Sequence, residues 1–459
     1  MTPAAALRAF LSAVDAPRRY LAAPVNNANL AVWRILFGAL MLAESWGAIL
    51  TGWVRANLVE PDFTFGFIGF EWVQAALVGP QAYAYFFAMG LAALGVCLGW
   101  RYRFCASALA LLWTGAYLAQ KTSYNNHYYL AVLLCWWMAL VPAHRRAALD
   151  VARTGVRAFT HARWIAVLAK AQLLIVFVYG AAAKLYPGWL RGEFIATTFA
   201  RKTHYPVIGP LLGSEAFQTF IVYGAIAFDA LVIPLLWYRP TRRLAFWGLV
   251  AFNLFNSVVF QIGIFPYLVL AMTVFFAEPE WVERRFRLPP KPATTPPAAT
   301  PTTPARLSAP LTAALLAYLA LQLALPLRHY AIAGDVNWRE EGHRMSWRMM
   351  LRAKGGSVRL EARNPDTGER ELVRPRDFLT AKQASRLATK PYFLHRFARR
   401  LEDHYRRERG WRETEVYALR SRVSLNGTPA RPLVDPATDL TAVDWNYWGR
   451  NDWVLDRAP

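Results

Sequence analysis

Three polar side chains, Asn125, Asn126 and His127, stand together in the segment KTSYNNHYYL (residues 121–130), where an apolar run begins. Polar groups at membrane depth are costly and often mark functional positions. His127 could transfer protons near neutral pH or serve as a hydrogen-bonding anchor. The alternative is structural, because Asn caps helices well and Tyr favours the membrane interface. The residue types alone leave both interpretations open.

Lys184 ends a long apolar run in VFVYGAAAKLYPGWLRGE. Gly180 and the three alanines after it would let helices approach closely and enclose a small site. A lysine that is removed from water can act as a neutral base. A lysine at a helix end can equally extend its amine to the membrane interface. Lys170, in the same run, lies about 21 Å away by helical rise, so the two lysines cannot share one small site.

The segment VNWREEGHRMSWRMML (residues 336–351) follows the last apolar run and must lie near the mouth of any helical bundle. It combines aromatic, methionine and arginine side chains, which suit the binding of an acidic peptide. An amphipathic segment at the membrane surface would have the same composition. The candidate substrate-binding residues are Trp338, His343, Arg344, Trp347, Met349 and Met350, preceded by His329.

Two more charged residues, Arg34 and Asp229, lie inside apolar runs. They could pair with one another or with polar groups of other helices, and we assign them a structural role. The sequence has no phosphate-binding glycine loop and no zinc-type His/Glu spacing, so it predicts no metal site.

The composition indicates that a membrane positions these residues. Of 459 residues, 55% are hydrophobic and 18% are charged, whereas soluble domains have about 25% charged residues. A membrane-spanning helix needs about 20 mostly apolar residues. The pattern predicts a mostly α membrane protein, with a bundle of eight or nine transmembrane helices and a C-terminal extracytoplasmic α+β domain. The candidate spans are 31–50, 82–99, 104–119, 127–142, 164–183, 216–237, 244–262, 264–277 and 309–327.

The formal charge of +22 first suggests nucleic acid as a partner, but the arginine distribution favours lipid. Arginines collect in alternate loops, at 143–163, 238–243 and 278–308, as positive-inside sorting requires. With nine spans, the amino terminus is cytoplasmic and the C-terminal domain is extracytoplasmic. The basic loops then face the cytoplasmic lipid surface, and we expect no nucleic acid partner.

Two domains are expected, a transmembrane domain over 1–327 and an extracytoplasmic α+β domain over 328–459. Residues 288–306 are mostly Pro, Thr and Ala and predict an unstructured linker within the first domain. The elements predicted in the second domain are strands at 358–363 and 415–424, a helix over 380–409 interrupted near Pro391, and a turn at 424–427.

At these motifs the sequence resembles the vitamin K-dependent gamma-glutamyl carboxylases and their bacterial relatives, which have an HTTM-type membrane domain. The similar blocks extend over nearly the whole chain and occur in the family's order. They are LAVWRILFGALML (30–42), KTSYNNHYYL (121–130), YGAAAKLYPGWLRGE (179–193), NSVVFQIGIFPY (256–267), WREEGHRMSWRMML (338–351) and SLNGTPARPLVDPATDL (424–440).

The resemblance implies a peptidyl-glutamate carboxylase of the carbon–carbon lyase class in the inner cell membrane of a bacterium. Its cofactor would be reduced vitamin K, as phylloquinol or menaquinol, which is epoxidised while oxygen and carbon dioxide are consumed. Lys184 would be the catalytic base, and Asn126 and His127 would steady the quinol, with Asn125 beside them. The segment 336–351 and His329 would admit a glutamate-containing peptide or protein. No metal is implied.

Two positions depart from the family pattern. Asn253 stands where relatives often carry His, and Thr428 stands where Arg is common. Two other functions therefore stay open. One is a homologue that binds or epoxidises quinone without carboxylation, and the other is a non-enzymatic membrane scaffold or transporter. A transporter predicts a continuous polar path, which Arg34, Lys170 and Asp229 alone do not provide.

Overall fold

Helices make up most of the part of the chain that this computed structural model describes, which comprises residues 15–123, 125–291 and 306–457. Within these ranges five helices are long and apolar enough to cross a membrane. They are Ala28–Leu50, Gln81–Leu98, Trp164–Ala182, Glu215–Trp237 and Ala309–Ala331, the last ending in a 3-10 turn from Leu325. Such helices have no polar face to present to water, so a bilayer is the solvent that they fit.

The other four predicted spans are also helical, at Tyr102–Ala119, Asn126–Leu140, Arg242–Val259 and Phe265–Met272, the last continued by a 3-10 turn to Phe276. Asn126–Leu140 has 15 residues. At 1.5 Å per residue it is about 22 Å long, which is shorter than the hydrocarbon core of about 30 Å. The count of eight or nine spans therefore stays a prediction. Most of the predicted linker, residues 292–305, lies outside the described residues.

Short elements occupy the connections between these helices and parts of the C-terminal region. In the connections lie the short helices Glu71–Leu77, Leu149–Thr154, Pro187–Leu190, Glu193–Ala200, Gly209–Gly213 and Pro279–Arg285, a π-helical turn at Arg55–Val59 and a 3-10 turn at Lys121–Ser123. In the C-terminal region lie the helix Val336–Arg339 and a 3-10 turn at Pro375–Asp377. Strands β1 (Pro24–Asn26) and β2 (Thr160–Ala162) form an antiparallel pair that the sequence pattern did not predict.

Arg34 is fully buried in the helical core, and its guanidinium caps the end of a neighbouring helix. Nη1 donates to the carbonyls of Val96 at 3.0 Å and Cys97 at 2.6 Å, and Nη2 donates to the carbonyl of Ala147. The last carbonyls of a helix lack intrahelical partners, so one guanidinium satisfies several of them. Arg34 is thus bound to backbone carbonyls and does not pair with Asp229.

The C-terminal region is built on a three-stranded antiparallel sheet in the order β4–β3–β5. Its strands are β3 (Lys354–Arg363), β4 (Arg370–Val373) and β5 (Glu415–Leu425), so both predicted strands are present and β4 is additional. The predicted helix is two helices, Ala381–Thr389 and Pro391–Glu408, because proline cannot continue the first. A capping box of Thr380 and Gln383 begins it.

A loop from the helical region runs into the core of the C-terminal region. The Phe65 ring stacks on Phe393 with centroids 4.6 Å apart, and the Tyr392 hydroxyl donates to the Gly66 carbonyl at 2.7 Å. The Gln383 amide donates to the Phe63 carbonyl at 2.6 Å. These contacts fix the C-terminal region over one end of the bundle, where Lys121 and Asn126 also lie.

Candidate active site

Lys184 lies just beyond the end of the Trp164–Ala182 helix, in contact with the Glu215–Trp237 helix. Its Nζ is 2.6 Å from Asp229 Oδ2 and donates to the Gly180 carbonyl at 2.9 Å. Lys184 is 6% exposed and Asp229 is 7% exposed. The partner of Asp229 is therefore Lys184 and not Arg34, and the purely structural role that we assigned to Asp229 is replaced by a place beside the candidate base.

Gly180 lies against the pair. A Cβ at this position would lie 3.4 Å from Asp229 Oδ2 and 3.8 Å from Met349 Cε, both ordinary van der Waals distances. Position 180 is thus where the carboxylate and the 336–351 segment both meet the helix. The Trp189 ring centroid lies 5.4 Å from Lys184 Nζ and covers the amine on another side.

Asn126 and His127 begin the Asn126–Leu140 helix and are both buried. The Asn126 amide donates to the Arg348 carbonyl at 3.1 Å, which ties this helix start to the 336–351 segment. His127 packs edge-on against Tyr128, with ring centroids 4.6 Å apart. Gly263 has a φ of +64°, and a Cβ there would lie 3.5 Å from His127 Nε2.

One cavity of about 640 Å³ brings these groups together, since Lys184, Asp229, Asn125, Asn126 and His127 all line it. The rings that line it are those of Phe177, Phe220, Phe228, Phe252, Phe255, Phe260 and Phe265, with Tyr128, Trp189 and Phe194. A pocket with apolar aromatic walls and a few convergent polar groups is the usual form of a small-molecule site.

Part of the cavity lining is strongly basic. It presents five basic side chains, Arg348, Arg352, Lys354, Arg386 and Lys390, which we term the basic wall, and one carboxylate, Glu340. Glu340 lies 3.0 Å from Arg352, 3.2 Å from Lys354 and 3.6 Å from Lys390. The three arginines alone exceed the charge that one carboxylate can neutralise, so the wall is suited to an acidic ligand.

The charges of the basic wall alter one another's protonation. Burial alone would raise the pKa of Glu340, but Arg352, Lys390 and Lys354 hold it well below its ordinary value. Burial lowers the pKa of Lys354 to about 8 and holds that of Lys390 well below its ordinary value, in both cases against the attraction of Glu340. The carboxylate is therefore ionised near neutral pH, whereas Lys354 is close to losing its proton.

Three of the predicted substrate-binding residues line the same cavity, namely His343, Met349 and Met350. His343 is 6% exposed, and its Nδ1 has no hydrogen-bond partner among the described residues. Burial, with Arg352 nearby, lowers the pKa of His343 well below its ordinary value. A neutral imidazole with one unused nitrogen thus lines the cavity.

The other four predicted substrate-binding residues lie outside this cavity. Trp338 is packed in the C-terminal core and donates to the Leu455 carbonyl at 3.0 Å, and Trp347 packs on Tyr129 in the helical core. Arg344 lies over the Tyr392 ring, 5.7 Å from its centroid. His329 faces a neighbouring cavity of about 600 Å³. The burial of the two indoles shows that they support the segment from behind.

His329 nevertheless remains connected to the candidate site. Arg348 lines both cavities, and its Nη1 is 3.3 Å from His329 Nε2. Its Nη2 donates to Asn337 Oδ1 at 3.1 Å. A single arginine thus separates the two cavities and could contact a ligand in either of them.

The two positions that depart from the family pattern do not line the cavity. Asn253 is 1% exposed and donates to the Leu249 carbonyl at 2.8 Å, in its own helix. Thr428 closes the turn at 424–427 by donating to the Leu425 carbonyl at 2.7 Å. In this protein neither side chain contributes to the cavity wall.

Asn426, in the same turn, is a positioning residue that the motif did not reveal. Its Oδ1 accepts from the Ala353 amide at 2.7 Å, and its Nδ2 donates to the Leu351 carbonyl at 3.1 Å. Leu351 lines the cavity directly after Met350. The turn therefore fixes the end of the 336–351 segment.

Two family descriptions match the chain. The HTTM domain matches residues 22–281, and the lumenal domain of vitamin K-dependent gamma-carboxylase matches residues 308–458. No solved structure matches it. The fold and the matches define an integral membrane protein of carboxylase type. The chain belongs to the vitamin K-dependent gamma-carboxylase family.

Proposed function

We propose that this protein is a reduced-vitamin-K-dependent gamma-carboxylase that converts peptidyl glutamate to gamma-carboxyglutamate. The observation that carries the proposal is the single cavity, in which a buried lysine–carboxylate pair, an Asn–His pair and a basic wall face one another. The family supports the same reaction class.

The cavity fits a naphthoquinol in shape and in chemistry. Its phenylalanine walls suit a flat aromatic ring and an apolar tail, and Lys184, Asn126 and His127 supply polar contacts for ring hydroxyls. Phe220 lines the cavity and is 66% exposed on the lipid-facing side of its helix, so the quinol could enter the cavity from the bilayer beside this ring. The reduced vitamin, when bound, supplies with oxygen the strong base that an unactivated carbon–hydrogen bond requires.

Lys184 Nζ is the atom that we expect to take a proton from a ring hydroxyl. For that the amine must first be neutral, and Asp229 is the acceptor within 2.6 Å. Transfer of the lysine proton to Asp229 removes both charges from a dry site, which burial favours. After Lys184 has taken the new proton, its ammonium remains beside the negative oxygen and stabilises it.

The basic wall is the proposed binding site for the peptide. Its cations would hold the glutamate carboxylate and orient the gamma carbon toward the aromatic part of the cavity. Met349 and Met350 line the same cavity and would keep water away from the carbanion. We further propose that this end is extracytoplasmic, with the amino terminus in the cytoplasm, and that 1–327 and 328–459 are separate domains.

The test uses purified full-length protein in detergent with a glutamate-rich peptide, reduced vitamin K and labelled bicarbonate. Lys184→Ala is compared with Lys170→Ala, a lysine of the preceding helix that packs on Trp237 and does not line the cavity. We expect label in the peptide for the wild type and Lys170→Ala, and none for Lys184→Ala.

The products distinguish the alternatives. Lys184-dependent epoxide without labelled peptide would replace the carboxylase proposal by that of a quinol-epoxidising homologue. If neither product forms with any of three acidic peptides of different sequence, the enzyme proposal is wrong, and a binding or scaffold role takes its place.

A further inference from the structure

A second cavity, of about 250 Å³, opens between the first transmembrane helix and its neighbours. We term it the aromatic cavity, because its lining includes the rings of Trp53, Phe86, Trp113, Tyr117 and Tyr128. Its volume is far above the roughly 15 Å³ that one water requires. The candidate active site and its proposed reaction make no use of this cavity.

Glu44 is the only charged residue among the described residues that line the aromatic cavity. It lies six residues before the end of Ala28–Leu50, about 9 Å from that end by helical rise. Its polar partner is the side chain of Tyr128, and within the described ranges it forms no ion pair. A carboxylate at membrane depth is costly unless a cation or a strong donor set compensates it.

The rings that line the aromatic cavity are inclined to one another. Trp53 and Phe86 have centroids 5.9 Å apart and planes inclined by 47°. Trp113 and Tyr128 are 5.6 Å apart and inclined by 79°. Inclined aromatic rings around a carboxylate provide both the quadrupole and the countercharge that bind an organic ammonium ion.

We propose that the aromatic cavity binds an organic ammonium group, held by Glu44 and by the faces of the surrounding rings. Two sources share this chemistry: the ammonium headgroup of a membrane lipid and a free amine from the aqueous side. Leu50 and Phe87 are 85% and 53% exposed on the adjoining helices, where a lipid would lie. Tyr128 lines both this cavity and the candidate active site, but ammonium binding needs neither Lys184 nor a peptide and can be measured without carboxylation.

The first arm of the test measures binding of tetramethylammonium to the full-length protein in detergent, by saturation-transfer NMR and calorimetry. Glu44→Gln keeps the shape of the side chain and removes its charge. Glu60→Gln is the matched control, because Glu60 is 46% exposed in its side chain and pairs only with Arg55 at the surface. We expect Glu44→Gln to weaken binding at least about tenfold and Glu60→Gln to leave it unchanged.

The second arm distinguishes the lipid source. Native mass spectrometry compares protein released from nanodiscs of phosphatidylethanolamine with protein from nanodiscs of phosphatidylglycerol. Retention of phosphatidylethanolamine by the wild type, and its loss in Glu44→Gln, identifies a lipid headgroup. Binding of tetramethylammonium without lipid retention identifies a free amine.

A second pair of variants keeps the test valid if Glu44→Gln fails to fold. Trp53→Leu removes one ring of the cavity, and Trp72→Leu removes an indole that is 71% exposed outside it. Weaker binding in the first and not in the second supports the site. The proposal is wrong if the wild type binds neither probe, or if Glu44→Gln and Trp53→Leu both bind as the wild type does.

Discussion

Lys184 and Asp229 are 45 residues apart in the chain, and their Nζ and Oδ2 atoms are 2.6 Å apart. Both side chains are buried, so each needs the other as a partner. The pair as a whole is neutral whichever group holds the proton. The amine can therefore become neutral by passing its proton to Asp229, and no unpaired charge is created in the dry cavity. A neutral amine of this kind is what a base at this position requires.

Asp229→Asn tests whether the pair acts as a unit. An amide cannot take the lysine proton, so we expect turnover to fall about 10²-fold or more. Because both residues serve one step, the Lys184→Ala/Asp229→Asn double variant should be no slower than the slower single variant. Epoxide formation at saturating cofactor is the measurement. Glu215→Gln, in the exposed first turn of the same helix, is the control that should retain activity.

Glu340→Gln tests the basic wall. The substitution leaves Arg352, Lys354 and Lys390 without their shared carboxylate, so the free energy of unfolding should fall by about 3 kcal/mol. The more positive wall should bind an acidic peptide more tightly, and KM for the peptide should fall several-fold. Thermal unfolding in detergent and initial rates measure the two effects.

The control for this variant is Glu361→Gln. Glu361 is partly buried on β3 and pairs with Arg363, away from the cavity. It should leave KM unchanged. An unchanged or higher KM for Glu340→Gln would argue against peptide binding at the basic wall.

Peptide binding should depend on pH through Lys354. Its pKa is lowered to about 8 by burial, so the ammonium is lost as the pH rises through about 8. Peptide carboxylates stay ionised over this range, so the attraction weakens and KM should rise above about pH 8. Lys354→Arg keeps a cation at high pH and should reduce this rise; burial also lowers the pKa of Lys390 in the same wall, so Lys390 contributes to any rise that remains. Initial rates from about pH 7 to about pH 10 would show it, and equal profiles for both proteins would refute it.

The local pattern of the sequence predicted much of this structure. Apolar runs predicted where the helices lie, and alternation predicted β3 and β5, because these signals depend on neighbours along the chain. The family resemblance implied that Lys184, Asn126 and His127 belong to one site. All three line one cavity, and their roles in catalysis stay predictions.

What the sequence did not predict depends on contacts between distant segments. Asp229 was visible as a charge inside an apolar run, but its partner is decided by how two helices pack. Trp347 has a left-handed backbone with a φ of +55°, as do Met345 at +58° and Met350 at +56°. Sequence periodicity assumes a regular backbone. It could therefore not show that the Trp347 indole packs in the helical core while the Met350 side chain lines the cavity.

Asn426→Ala tests the turn that holds the cavity segment. The substitution removes the bonds to Leu351 and Ala353 and places Ala at a φ of +53°. Lost bonds at a buried site and a left-handed alanine should together lower the free energy of unfolding by about 2–3 kcal/mol. Asn426→Gly loses the same bonds without the backbone strain and should cost about 1 kcal/mol less. Both variants should raise KM for the peptide, since Met350 and Leu351 lose their support. Thermal unfolding and initial rates measure these effects, and a KM equal to that of the wild type would show that the cavity segment holds its position without the turn.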